Sequence, residues 1–171
     1  MREMKKYLKF CLFGLLATSI FSYSYASPGY SKIFTLERTL NSNQVVYEAN
    51  LSSVDYPIHP YWNMRAEDGH TEELNRIERN RAYGVEIIKQ SATEVDFAIV
   101  AFRSHPVKVR LDAVSKTPYA TITLSSGEKI LTDIYLTVTG SIFPSVSKIE
   151  ISYQNAKDGP VLHESFDPNA E

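Results

Sequence analysis

Cysteine is nearly missing from this 171-residue chain: Cys11 is the only one, and it sits in the apolar N-terminal segment. Without that segment the chain has no thiol, which excludes disulfide staples and cysteine nucleophiles together. Glycine is sparse at seven residues, and there is one tryptophan. No glycine-rich phosphate or dinucleotide loop is present, and no G-x-S-x-G turn offers a serine nucleophile. No apolar run reaches the roughly 20 residues that a membrane-spanning helix needs. A basic excess is absent too. The formal net charge is −2, so the chain lacks the electrostatic footprint of a nucleic-acid binder.

What is present begins with a leader. Arg2, Lys5, Lys6 and Lys9 stand against Glu3, and Phe10 to Phe21 (FCLFGLLATSIF) is nearly all apolar. Ser24 and Ala26 are small residues three and one before a cut after Ala26. A basic start, a short apolar run and a small-x-small ending make residues 1–26 a secretory signal peptide. Cys11 follows Lys9 and Phe10 rather than small residues, which argues against lipid attachment. Processing leaves residues 27–171 as one β-rich domain with 14 basic and 19 acidic side chains, periplasmic or secreted. A domain of that size buries roughly 70% of its unfolded surface, so packing alone must hold it in a compartment where disulfides could form.

The mature chain reads mostly as short strands. Val45, Tyr47, Ala49 and Leu51 alternate with Val46, Glu48 and Asn50, the period-two signature of a strand with one buried face. Lys32–Arg38 precedes it across a turn expected at Asn41–Asn43, so the pair reads as a hairpin. Further alternating segments recur to Phe166, separated by turns expected at Ser91–Thr93, Ser104–Pro106, Ser115–Pro118, Ser125–Gly127, Gly140–Pro144 and Asn155–Gly159. The Asp158-Gly159 pair is a strong hairpin signal. Even spacing and short connections predict an all-β fold. It is an antiparallel barrel or sandwich meander of about nine to ten strands, with one short α-helix after the third strand.

That helix falls in Tyr56–Gly84, the stretch richest in candidate chemistry. Pro57 and Pro60 cannot donate to a sheet ladder, so Ile58–Arg65 must be an edge strand, a bulge, or a strand that begins after Pro60. Thr71 is the expected N-cap, with Glu72 and Glu73 in the first turn, Leu74 and Ile77 as the apolar stripe, and a Glu72–Arg76 pair outside. The helix should end by Ala82. Being about ten residues long, it must lean on the sheet.

The remaining chemistry is thin. His59, His70, His105 and His163 never stand two apart on a strand or four apart on a helix, and a zinc site needs three or four ligands; no metal and no cofactor is expected. Glu48, Glu73 and Asp96 could supply paired carboxylates, although any domain of this size offers such a trio. Arg76, Arg79 and Arg81 read as a solvated helix face or an anion-binding one. Trp62 reads as core or as a pocket wall.

The segments IFTLERTLNSNQVVYEANL, PIHPYW, EELNRIERNRAYG, DFAIVAF and VKVRLD, in that order, resemble an exported bacterial family known as domain of unknown function 4833. The resemblance covers Ile33 to about Pro168. It implies a single exported domain with no assigned activity, and draws attention to Glu37, Arg38, Tyr47, Asn50, Tyr61, Trp62, Arg79, Tyr83 and Gly84. Asn63 departs from the family pattern, which has an aliphatic residue after the tryptophan.

The expected function is a non-enzymatic binding protein for a small or lipidic ligand or a cell-envelope component. Its site would use His59, Tyr61, Trp62, Asn63, Arg79 and Tyr83. Two alternatives stand beside it: a hydrolase acting on an envelope polymer or glycan through paired carboxylates, and a protein–protein interaction module.

Overall fold

The computed structural model of the protein describes residues 29–139 and 145–168. The leader and the Gly140–Pro144 loop lie outside them. The described residues form eleven strands and one helix. The first arm of the sheet is β1 (Ser31–Arg38), β2 (Asn41–Ala49), β3 (Ile58–Asn63) and β4 (Thr71–Glu73), each antiparallel to the one before. The second arm is β5 (Val85–Gln90), β6 (Glu94–Ile99), β7 (Phe102–Leu111) and β8 (Pro118–Leu124), paired the same way.

Both arms spring from one edge of β9 (Gly127–Thr139). Its first residues pair antiparallel with β8, and Asp133–Leu136 pair parallel with β1. Its other edge carries β10 (Ser145–Gln154) and then β11 (Leu162–Phe166). The sheet curls into an antiparallel-rich half-barrel, a meander closed by one parallel pair.

Patterning explains the core. Val45, Tyr47 and Ala49 of β2 are fully buried, as their alternation predicts. Phe34 and Tyr47 stack at 4.5 Å between ring centroids, and Phe97 from the second arm lies 6.4 and 6.5 Å from them. Those three rings join the arms. The hydroxyl of Tyr47 donates to the carbonyl of Tyr83 at 2.8 Å, so this buried phenol is satisfied.

Three local expectations change. The helix, α1 (Arg76–Arg81), is six residues rather than about ten and comes after β3 and the three-residue β4. Thr71–Glu73 opens no helix because its backbone pairs with Tyr61–Asn63 as β4. The cap is Asn75: its side chain accepts from the amides of Ile77 and Glu78, and Glu78 reaches back to the Asn75 amide. Only Leu74 enters the core, while Ile77 is 72% exposed, so no apolar stripe exists. Glu72 accepts from His70 at 2.8 Å instead of pairing with Arg76.

The first turn falls at Thr39–Leu40, and Asn41 already belongs to β2. Ser104–Pro106 lies inside β7, in a bulge between the Ile99–Phe102 and Phe97–Val107 pairs. A bulge tolerates the missing proline donor.

Gly84 ends the helical exit. A Cβ there would stand 1.9 Å from the Arg79 carbonyl oxygen, a clash with backbone that no rotamer relieves. Only glycine lets the chain fold back under α1 and enter β5, where the amide of Val100 donates to the Gly84 carbonyl at 2.9 Å.

Candidate functional site

β4 is antiparallel to β3 for only three residues, opposite Tyr61–Asn63. The chain then leaves the sheet: Leu74 drops into the core and Asn75 starts α1. From Ile58 to Pro60, β3 is therefore an edge, as Pro57 and Pro60 require. β5 forms the facing edge. Between them lies a cleft of about 610 Å³, walled by Ile58 and Pro60 on one side and Val85 and Ile87 on the other. Tyr30, Tyr56 and Asp55 line its outer end; His59, Glu73 and Arg79 line the end next to α1.

Polar groups at that inner end are coupled. His59 Nε2 is 2.8 Å from Glu73 Oε1, and Arg79 Nη2 donates to Glu73 Oε2 at 3.4 Å and to the Leu74 carbonyl at 3.2 Å. His59 packs edge-on against Tyr30, ring centroids 5.7 Å apart. Tyr30 in turn donates to the carbonyl of Tyr56, which fixes the mouth of the cleft.

The six expected ligand residues fall in three places. His59 and Arg79 line the cleft. Trp62 and Tyr83 do not. Trp62 is 5% exposed, and its free edge faces a second hollow of about 330 Å³ shared with Arg38, Asn43, Glu72 and Glu78. The Arg38 guanidinium lies 4.8 Å above the Trp62 ring and donates to the Tyr83 hydroxyl at 3.0 Å. Trp62 and Tyr83 meet edge to face at 5.1 Å. Tyr61 and Asn63 point to the outer face of the first arm. There the Tyr61 hydroxyl donates to Glu48 Oε1 at 3.0 Å. Burial first, then the charge and hydrogen bond of Glu48, hold that phenol well above its ordinary pKa. Asn63 Oδ1 and Glu48 Oε2 are buried with no partner among the described residues.

The three carboxylates of the hydrolase reading also separate. Glu48 on β2 and Glu73 on β4 share the outer face with β3 between them, whereas Asp96 belongs to the second arm, opposite Lys108. A Ser152 Oγ–His163 Nδ1 contact of 3.0 Å on β10 and β11 imitates part of a catalytic triad. Yet Glu150 approaches the same ring nitrogen, at 3.8 Å, instead of holding the opposite one as a triad acid does. Among the described residues, no three His, Asp or Glu side chains gather as a metal ion would need. No helix there is long and apolar enough to cross a membrane.

Sequence reasoning missed Tyr30, Glu73 and the β5 residues Val85 and Ile87 as cleft walls. Glu73 suits a first helical turn by sequence although it ends β4, and β5 is far from β3 in sequence. The two prolines carried the only local signal that an edge lies open there.

No curated protein and no solved structure matches the chain. A family model described as domain of unknown function 4833 matches residues 34–165, from within β1 to within β11. The chain belongs to this family.

Proposed function

We propose that the protein is an exported, non-enzymatic binding protein. It takes a small, partly apolar ligand, or a fragment of a cell-envelope component, in the cleft between β3 and β5. One observation carries this reading: apolar walls from Ile58, Val85 and Ile87 end in the linked polar groups His59, Glu73 and Arg79. Binding sites commonly combine an apolar lining with a few convergent polar groups that fix orientation. Carboxylate-pair hydrolysis is less favoured, because Glu48 is engaged by Tyr61 and Asp96 lies on the other arm.

The test is native mass spectrometry of protein purified from its own host, beside an Ile87→Trp variant that fills the cleft. Ile87 is 42% exposed, so a larger side chain there has room to turn without entering the core. The expected result is a co-purifying mass on the natural protein that the variant lacks. No bound mass, or a mass retained by the variant, rejects the proposal.

A further inference from the structure

The cleft is the continuation of a strand position that β4 occupies and then abandons. Its walls are backbone as much as side chain. The amide of Asn50 donates to the Pro57 carbonyl at 2.9 Å, and that of Met64 to the His70 carbonyl at 2.9 Å. Hydrogen-bonded and non-hydrogen-bonded pairs alternate along an antiparallel ladder. Ile58 and Pro60 must therefore aim their backbone groups away from β2, toward the cleft. On the other wall, the Val100 amide donates to the Gly84 carbonyl. The same alternation turns Val85 and Ile87 away from β6, into the cleft. The amides of Ile58, Val85 and Ile87, and the carbonyls of all four residues, have no ladder partner among the described residues.

Width agrees with a missing strand, and the directions of the two edges fix how it would lie. Contacts at the two ends show that β3 and β5 run in opposite directions: Tyr83, just before β5, meets Trp62 near the end of β3, whereas Gln90, at the end of β5, reaches Ser53 and Val54 ahead of β3. One strand between them can thus be antiparallel to β3, as β4 is, and parallel to β5. At the outer end the Gln90 side-chain amide crosses the gap and donates to the carbonyls of Ser53 and Val54 at 3.0 and 3.2 Å. A glutamine side chain plus a hydrogen bond spans roughly the 9–10 Å between the neighbours of one inserted strand. The molecule thus fills one end of the lane with a side-chain amide, the same donor that a peptide backbone would bring.

We infer that the cleft takes an extended peptide segment of about four residues, roughly 13 Å long. It runs antiparallel to β3 and parallel to β5 and completes the sheet between the two arms by backbone hydrogen bonding, a known mode of peptide capture. This rests on the cleft being the binding site, and it names what enters. Side-chain selection would come from Tyr30 at the outer end and from the His59–Glu73–Arg79 group at the inner end.

The experiment is amide hydrogen exchange by NMR on the leaderless protein. It uses three probes: a randomised end-blocked tetrapeptide library, the same library with every backbone nitrogen methylated, and lauric acid. The unmethylated library should slow exchange at Ile58, Val85 and Ile87 by about tenfold at roughly ten times its dissociation constant. The methylated library, lacking strand donors, should leave those amides unchanged. Equal effects from both libraries, or no effect from either, overturn the strand proposal. Protection by lauric acid alone keeps the cleft as a binding site and rejects the peptide; silence from all three probes rejects both.

Discussion

The two arms of the half-barrel treat their outward faces differently. The second arm faces solvent with a ladder of exposed and half-exposed ion pairs. Arg110 bonds Glu94 and Glu128 at 2.9 and 3.2 Å, Lys89 bonds Glu94 at 3.0 Å, and Arg103 pairs with Glu86. The first arm hides polar groups. Thr35, Glu48 and Tyr61 are all buried on its outward side, and Thr35 donates to Asp133 on the shared strand. Exposed ion pairs keep a sheet face solvated at little gain in stability. Buried polar groups must be satisfied, and each becomes expensive once its partner goes. The second arm therefore reads as scaffold, and the first as the arm whose surface chemistry is constrained.

That contrast can be broken most sharply at Trp62. Trp62→Ala opens the junction of the first arm with α1, and should cost about 3–5 kcal/mol in denaturant unfolding. A loss below about 1 kcal/mol would mean that Trp62 is a pocket wall and contributes little to the core. Next comes a matched pair. Glu48→Ala strands the Tyr61 hydroxyl and should cost about 1–3 kcal/mol, nearly independent of salt. Arg110→Ala on the second arm should cost no more than about 1 kcal/mol, and less still in high salt. Equal costs with equal salt dependence would erase the distinction between the arms.

The smallest effects are in pH. His70, in the β3–β4 loop, is held by Glu72 and then Asp68, which raise its pKa to about 9. Its stabilising contribution is complete below 6.5 and disappears as pH rises through about 9. Glu94 is drawn down to about 2, first by Arg110 and then by Lys89. Its contribution is complete above 4.5 and disappears as pH falls through about 2. The first arm should thus loosen at the alkaline end and the second at the acid end, by amounts best read as NMR titrations of the two side chains. His70 titrating near 6.5 would remove the alkaline limb.

Alternation made the architecture legible. Val45–Ala49 and Val107–Leu111 carry their burial in their spelling, and Pro57 and Pro60 announced an edge. The helix starts later than Thr71 suggests because Glu72 and Glu73 suit a first helical turn as well as a strand end, and pairing with Tyr61–Asn63 decides between them. The Asn75-x-x-Glu78 capping box was readable in the sequence and marks the true start. The parallel β1–β9 pair was invisible, since nothing in Thr35–Arg38 or Asp133–Leu136 names its partner across about a hundred residues. The cleft was half legible for that reason: His59 and Arg79 come from the aromatic-rich stretch, but its other wall depends on how the second arm returns.

The parallel pair also governs when the molecule can become itself. Thr35 meets Asp133, so the N-terminal arm cannot dock until most of the polypeptide has been made. Contacts so distant in sequence form slowly, because loop closure must precede any gain. Each arm can pair locally as its strands emerge, but the two are joined only when the late central strand arrives.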